Sequence, residues 1–324
     1  MKNKVLYFPY INVPKSEWFT RMLLYWDQVG SIIPSDYISD PEKLDSYTLE
    51  LVRAGLVVQV IPAEHSWKIR NLKQTFINYI HGLKAPVLAK RRKLFENRMF
   101  HMVHMEKLDG ITDGLIELGL AQHGNYPWVY LEKTTAEEFM AYLAATLCGI
   151  DAIDAMPVTD AEINLKTVIT SNLEEAKVEG KIATLRYEVL EDIFPAPLQG
   201  LSVVELERFK SKHADLLKSF RLYVEDELVR IASISDPELR ERSKLLVKER
   251  MKEDIAQITA RLRESGFERL SLGKLGTVIA ALPGVSEGLN LLTAIYQAFE
   301  REDVIPLNKN LFYAAYAQKK LPKE

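Results

Sequence analysis

The stretch that decides the fold is "KVLYFPYINVPKSEWFTRMLLYWDQVGSIIP", from Lys4 to Pro34. Its opening residues are apolar and rich in β-forming types, which predicts a strand. Apolar residues then recur at three- and four-residue spacing, as on one helix face, with Ser16 as the N-cap and Gly30 as the stop. "SIIP" predicts a short buried strand. The stretch therefore predicts a β-α-β unit at the start of the chain.

Large aromatic side chains crowd this stretch. Two interpretations are open: the rings line a substrate pocket, or they pack a sheet against its first helix. Rings at helical spacing beside an apolar strand are more often core, so we expect packing. The rings concerned are Tyr7, Tyr10, Trp18, Phe19, Tyr25 and Trp26.

The alternation of short apolar runs with helical periods continues to about residue 150. "LVVQVI", "RMFHMVHMEKL" and "WVYLE" predict further strands, and the segments between them predict helices. We therefore expect an α/β domain over residues 1–150, with about five mainly parallel strands and helices around them. A connecting segment over residues 151–200 contains one more predicted strand, "IATLRYEVL".

The C-terminal part, residues 201–324, has a helical pattern. Ser202 and Glu205 form a capping-box pattern at the start of a long amphipathic segment. A second long segment begins after "SISDP" and ends at Gly266. Two long helices with a short connection predict an antiparallel hairpin within a mainly α-helical domain. Such charged helices predict a protein partner or a homo-oligomer that uses this surface.

Composition excludes several classes of protein. The 324 residues are 47% hydrophobic and 27% charged, which is typical of a globular chain, and the net charge is -3. A chain without a basic excess gives no global case for nucleic-acid binding. The run "KRRK" leaves one local patch for nucleic-acid binding, formed by Lys90, Arg91, Arg92 and Lys93.

The single cysteine, Cys148, excludes an intrachain disulfide and lies in an apolar run that predicts burial.

Membrane and targeting signals are weak. The N-terminus resembles no signal peptide, and no run of apolar residues is long enough to span a bilayer, so we expect a cytoplasmic location. Residues 275–299 form a glycine-punctuated apolar segment, which leaves open a membrane-perturbing role. Each apolar arm is too short to cross a bilayer, so packing under the long helices is the favoured interpretation.

Catalytic signatures are sparse. The sequence contains no GxGxxG, no GxxxxGK[ST] and no HExxH, so we predict no cofactor. Asp27 follows the first helix and precedes a strand, where it is a weak candidate for a base. His104 and Glu106 would share one face of a strand and offer two metal ligands, but not three, so we predict no metal site. Glu132, in "LEKTT", completes the catalytic candidates.

Three stretches carry a family resemblance. "LYFPYINVPKSEWFTRMLLYWDQVGSIIP", "LRYEVLEDIFPAP" and "VVELERFKSKHADLLKSFRLYVEDEL" resemble a bacterial domain family that has no assigned activity. The last stretch includes Phe209, His213, Phe220 and Arg221 at positions that match the family pattern. The resemblance implies a bacterial source and a link to phage defence. Its motifs are structural, so it supplies no site residue.

These observations leave the enzyme question open. The absence of strong catalytic motifs, together with the long charged helices, favours a non-enzymatic binding or accessory protein. The alternative is a metal-assisted hydrolase or nuclease, with its site in the α/β domain at Asp27, His104, Glu106 and Glu132. Convergence of those four side chains in one cleft would favour the enzyme, because ligands of open parallel sheets bind at the carboxyl ends of strands.

Overall fold

The structure is a computed structural model that describes residues 2–108, 110–160, 173–194, 201–264 and 308–321. Contacts divide the chain into two compact units. Unit 1 comprises Met1–Lys15 and Trp26–Ala176, and unit 2 comprises Ser16–Tyr25 and Lys177–Glu324. The first helix of the chain therefore belongs to the second unit.

Seven strands occur in the described residues, and all of them lie in unit 1. They are β1 (Lys4–Tyr7), β2 (Gln28–Ile32), β3 (Val57–Val60), β4 (Phe100–His104), β5 (Ala121–His123), β6 (Trp128–Glu132) and β7 (Ala155–Val158).

The helices of the described residues are α1 (Glu17–Tyr25), α2 (Asp36–Ser39), α3 (Ser46–Arg53), α4 (Ser66–His81), α5 (Ala85–Glu96), α6 (Met105–Leu108), α7 (Thr112–Glu117), α8 (Lys133–Cys148), α9 (Leu173–Ile193), α10 (Val203–Lys212), α11 (Ala214–Ala232), α12 (Pro237–Glu264) and α13 (Phe312–Lys320). Short 3₁₀ turns cover Pro41–Lys43, Pro62–His65 and Lys309–Leu311.

Four strands form a parallel sheet in the order β3-β2-β1-β7. In register, Leu6 of β1 lies between Gly30 of β2 and Pro157 of β7. Consecutive residues of β1 are buried, as is usual for a parallel strand covered on both faces. Gly30 lies inside β2 instead of ending the first helix. A Cβ there would lie 3.0 Å from Leu6 Cδ1 and 3.2 Å from Val60 Cγ2, so the close packing of neighbouring side chains favours glycine.

The other three strands form an antiparallel sheet in the order β4-β6-β5. His104 pairs with Trp128 at one end of the β4–β6 ladder, and Phe100 pairs with Glu132 at the other end. The predicted set of about five mainly parallel strands is therefore correct only in part. The α/β unit combines four parallel strands with a separate antiparallel sheet.

The core of unit 1 packs α4 and α8 against the sheets. The rings of Phe76 and Phe139 meet edge to face with 5.2 Å between their centroids. Cys148 is 4% exposed in this cluster, as its apolar run predicts, and burial raises the pKa of its thiol to about 12. A thiol in that state is not a nucleophile at neutral pH.

Most aromatic side chains of the opening stretch are buried, and they lie in the cores of two different units. Tyr7 and Trp26 are buried in unit 1, whereas Phe19 and Tyr25 are buried in unit 2. The hydroxyl of Tyr25 donates to Glu225, 2.8 Å away. Helix α1 also packs against α10. The predicted β-α-β order is present as β1, α1 and β2, with β1 and β2 paired in parallel, but α1 packs within unit 2.

Unit 2 is largely helical, as expected for the C-terminal part. Its interior holds a buried ion pair in which Arg186 of α9 donates to both carboxylate oxygens of Glu225, at 2.5 and 2.8 Å. Arg186 lies in the predicted strand "IATLRYEVL", residues 182–190, and that prediction is wrong because the segment is part of α9. Its buried residues recur at helical spacing: Ile182, Leu185, Arg186, Val189, Leu190 and Ile193.

No helix in the described parts of the chain is long and apolar enough to cross a membrane. The apolar segment at residues 275–299 lies outside the described residues.

The basic run at residues 90–93 lies on α5 and is not a uniform surface patch. Arg91 is only 7% exposed, and its guanidinium donates to both oxygens of Glu138, at 2.8 and 2.9 Å. Arg92 donates to the carbonyl oxygen of Leu118 at 2.7 Å. The local patch that the sequence left open for nucleic-acid binding therefore loses Arg91, which instead connects α5 to α8.

Removing one member of the buried Arg91–Glu138 pair should destabilise unit 1 more than removing both members. Arg91→Met should lower the free energy of unfolding by about 3–5 kcal/mol, because it leaves a buried carboxylate without its cation. Arg91→Met combined with Glu138→Leu should cost clearly less. Denaturant unfolding measures the free energy of unfolding of the single and the double variant. The control is Arg53→Met, which removes the exposed Arg53–Glu42 pair and should cost less than about 1 kcal/mol. A double variant as unstable as the single one would contradict the prediction.

A buried histidine lies between α10 and α11. The ring of His213 is 6% exposed and stacks on Tyr316, with 4.9 Å between centroids. In the described part of the chain its Nδ1 has no hydrogen-bond partner. Burial, with the positive charges of Lys212 and Lys320 as smaller causes, lowers the pKa of His213 to about 4. The folded protein therefore holds this imidazole neutral at pH 7.

Acid should destabilise unit 2 through His213. The ordinary pKa of 6.5 applies to the unfolded chain, so the unfolded chain binds more protons between pH 6.5 and 4. The contribution of His213 to the free energy of unfolding is fully present above about pH 6.5. It falls as the pH decreases towards 4, by up to ~1.4 kcal/mol per pH unit. Denaturant unfolding at pH 7 and pH 5 should show a smaller loss in His213→Phe than in the wild type. His123→Phe, at an exposed position, is the control, and equal losses in all three proteins would refute the assignment.

Candidate functional site

The ends of two strands from different sheets meet in unit 1. Strand β2 ends at Ile32, and the chain then passes through Ser35 into the short helix α2, which begins with Asp36. Strand β4 ends at His104, and Glu106 follows in the short helix α6. The carboxyl ends of β2 and β4 thus bring together polar side chains that are about seventy positions apart in the sequence.

Glu106 connects the two strand ends. Its carboxylate oxygens accept hydrogen bonds from the Ser35 backbone N–H at 3.0 and 2.9 Å. The Ser35 hydroxyl donates to the same carboxylate at 2.6 Å. A carboxylate offers about four lone-pair positions, so these contacts leave capacity for a further partner.

His104 lies beside Asp36 at this junction. The distance between His104 Nε2 and Asp36 Oδ1 is 3.5 Å. Both atoms are buried, and neither has a hydrogen-bond partner within the described ranges. At 3.5 Å the two atoms are slightly too far apart for a good direct hydrogen bond, so both keep capacity for a further partner.

The imidazole of His104 is held by packing and by one backbone contact. It is 5% exposed, and its ring meets the ring of Trp128 edge-on at 5.5 Å. Its Nδ1 accepts a 3.3 Å hydrogen bond from the Glu106 backbone N–H. Burial lowers the pKa of His104, and the negative charges of Asp36 and Glu106 oppose this only in part. The imidazole is therefore neutral at pH 7, which is the state that binds metal ions.

A cavity of about 840 Å³ opens at this junction. Lys43 lies on its wall and donates to Asp36 Oδ2 at 3.0 Å, so one oxygen of Asp36 has a cationic partner and the other faces His104. Ser66, Thr112 and Tyr126, which each carry a hydroxyl group, also line the cavity. The volume is sufficient for a small-molecule substrate or for one residue of a polymer.

The three side chains suit one metal ion in type, and the Asp36–His104 pair also suits it in spacing. Ligand atoms of Asp36, His104 and Glu106 all lie within 4.8 Å of one another. Ligands at about 2.1 Å from one zinc ion lie roughly 3–3.5 Å apart, so the separation of Asp36 and His104 already suits shared coordination. Ligation through Nε2 would place the imidazole proton on Nδ1, so the hydrogen bond from the Glu106 N–H would be lost and both N–H groups would need other acceptors.

Lys107 adds an unusual group next to the cluster. It is 2% exposed, and burial lowers the pKa of its ammonium group to about 7, with the charge of Glu106 opposing the shift. The sequence pattern gave no reason to single it out, because a lysine beside a glutamate is typical of an exposed helix.

The other two sequence-predicted residues lie elsewhere. Glu132 is completely buried and caps α8, accepting from the backbone N–H groups of Thr134 and Thr135 at 3.1 and 2.8 Å. It pairs with Phe100, at the end of the β4–β6 ladder opposite His104. Asp27 is exposed at the amino end of β2, where it accepts from Asn3 at 2.7 Å. The structure therefore brings together His104 and Glu106, and leaves Asp27 and Glu132 apart from them.

Sequence reasoning missed Asp36. The available signal was its position, because Asp36 comes directly after the buried strand and "IIPS", at the carboxyl end of β2. Asp27 precedes the same strand and therefore lies at the opposite edge of the sheet. The rule that parallel sheets bind ligands at carboxyl ends favours Asp36 over Asp27. Glu106 also differs from expectation, since it lies in α6 and not on the face of β4.

Comparison with known proteins identifies no relative, because no family model, no curated protein and no solved structure matches this chain significantly.

Proposed function

We propose that unit 1 binds one divalent transition-metal ion through Asp36, His104 and Glu106 and uses it to hydrolyse a substrate in the adjoining cavity. The observation that supports this most is the pair of buried, unpartnered atoms, Asp36 Oδ1 and His104 Nε2, at 3.5 Å. A cation between them satisfies both at once. The four-residue site expected from the sequence does not converge, so this proposal keeps only the reaction class of that alternative and rests on a different set of residues, Asp36, His104 and Glu106.

The ligand types indicate which metal. Imidazole suits zinc, iron and other transition metals, whereas magnesium and calcium prefer oxygen ligands alone. Three protein ligands that leave further positions open are typical of catalytic zinc sites. We therefore expect Zn²⁺ or Mn²⁺ to bind in preference to Mg²⁺.

The chemistry that such an ion supplies is activation of water. A metal ion lowers the pKa of bound water to near neutrality, so that hydroxide is available at pH 7. Held by Asp36, His104 and Glu106, the ion would supply an activated water for the hydrolysis of an ester, and the proton lost by that water would balance the proton taken up by the leaving oxygen. Glu106 and Ser35 hold the ligand set in place through their mutual hydrogen bonds.

Metal binding is tested by calorimetry with Zn²⁺ and Mn²⁺. The wild type should bind a single ion, and Asp36→Asn or His104→Gln should weaken binding by at least roughly tenfold, since even outer-shell changes cost 10–100-fold. Asp27→Asn makes the same chemical change at the other end of β2 and should leave binding unaltered. Equal affinity in wild type and His104→Gln would place the ion elsewhere and refute the site.

Hydrolysis is tested separately from binding. The metal-loaded protein is assayed with chromogenic phosphate and carboxylate esters and with single-stranded DNA and RNA oligonucleotides. We expect turnover of one class, lost in His104→Gln and retained in Asp27→Asn. A protein that binds the ion and turns over none of these classes would contradict the hydrolase.

The second candidate function is a non-enzymatic binding or accessory role, as the sequence favours. Its specific observation is in unit 2, where Leu239, Leu245 and Leu246 of α12 are each more than half exposed. We infer that α11 and α12 form the predicted hairpin and that its outer face contacts a protein partner. Exposed leucines grouped on one helix are typical of an interaction surface.

A further inference from the structure

A second cavity in unit 1 lies on the face of the parallel sheet that packs against α8. Its lining includes Leu6, Gly30 and Ala155 of three neighbouring strands. Leu6 and Ala155 also belong to the core cluster that contains α8. The volume is about 230 Å³, which is below the ~300–1,000 Å³ of sites for drug-sized ligands, so the cavity suits a small metabolite.

The sheet contributes a cation and an amide to this cavity. Lys4 and Gln28 are the first residues of β1 and β2, and they pair in register, so their side chains project from the same face. Leu6 lies two positions after Lys4 and therefore on that face as well, where it is completely buried. Lys4 and Gln28 are half-buried, and within the described ranges neither side chain makes a hydrogen bond or an ion pair. Both keep their bonding capacity for a molecule in the cavity.

The 3₁₀ turn Pro62–His65 contributes an anion. Glu64 and His65 line the cavity from this turn, with Glu64 exposed and His65 half-buried. The carboxylate of Glu64 makes no ion pair with Lys4, although both residues line one small cavity with opposite charges. It has no other partner in the parts of the chain that the structure describes. A cation and an anion that line one cavity without pairing leave two opposite charges available to one ligand.

We propose that this cavity is a binding site for a small zwitterion, of the class to which free α-amino acids belong. The carboxylate of the ligand lies against Lys4 and its ammonium group lies against Glu64. The side-chain amide of Gln28, beside Lys4 in register, donates to the same carboxylate. Hydrogen bonds between charged groups are the strong ones, and a ligand with a single charge would leave either Lys4 or Glu64 without a partner.

The position of this cavity makes the inference independent of the metal site. Lys4 and Gln28 lie at the amino ends of their strands, whereas Asp36 follows the carboxyl end of β2. Among the described residues, the two cavities have no lining residue in common. Loss of the metal should therefore not affect binding of the zwitterion.

Calorimetric titration of the full-length chain with the common free α-amino acids, one at a time, tests the proposal. At least one should bind, and two analogues of it should bind about tenfold more weakly: the amine that lacks its carboxylate and the acid that lacks its amino group. Lys4→Met should weaken binding of the amino acid by about tenfold and leave binding of the amine unaltered. Glu64→Gln should weaken the amino acid equally and leave the acid unaltered, because each variant removes a contact that the analogue already lacks.

Two further variants serve as controls. Lys15→Met makes the same change as Lys4→Met at an exposed position and should leave binding unaltered. His104→Gln should also leave it unaltered, which separates this site from the metal site. Circular dichroism should show an unchanged fold in every variant, since Lys4 and Glu64 are not buried.

Three outcomes would overturn the proposal. The first is a wild type that binds no free amino acid at millimolar concentration. The second is equal affinity for the amino acid in the wild type, Lys4→Met and Glu64→Gln. The third is an amine or an acid that binds the wild type as tightly as the amino acid does, because a single charge would then be sufficient.

Discussion

The carboxyl end of β2 and the carboxyl end of β4 are held together by the carboxylate of Glu106, which accepts three hydrogen bonds from Ser35. These two strands belong to different sheets, so nothing in either ladder fixes their relative position. The contact places Asp36 beside His104 and creates the wall of the cavity. If it were broken, the ligand set would separate, and the buried atoms that motivate the metal site would be exposed to water.

The parts of the fold that could be predicted are those that depend on local pattern. Short apolar runs bounded by turns indicated β1, β2 and β3, and the capping box at Ser202 marked the start of α10. The segment containing Arg186 is rich in β-favouring residues, which predicted a strand. It is part of α9, and its helical pattern is hidden in the sequence because a charged arginine occupies one of the buried positions. An arginine there is explained only by Glu225, which lies far along the chain.

Only half of the candidate site could be predicted from the sequence. His104 and Glu106 are close in sequence and indicate a possible ligand pair, whereas Asp36 and Ser35 meet them only where the ends of strands from two separate sheets come together. Sequence spacing carries no information about such a contact. Glu132 was a candidate by residue type, but its carboxylate accepts hydrogen bonds from two backbone N–H groups at the start of α8. Buried acids that cap helices and acids that bind metals look alike in a sequence.

The central claim is that a cation bridges Asp36 Oδ1 and His104 Nε2. The most direct measurement is anomalous X-ray diffraction from crystals soaked with Mn²⁺, collected on both sides of the manganese absorption edge. The account predicts a single anomalous peak about 2.1 Å from each of these two atoms and within coordination distance of Glu106. A water molecule at that position without anomalous signal, in crystals that hold manganese elsewhere, would contradict it.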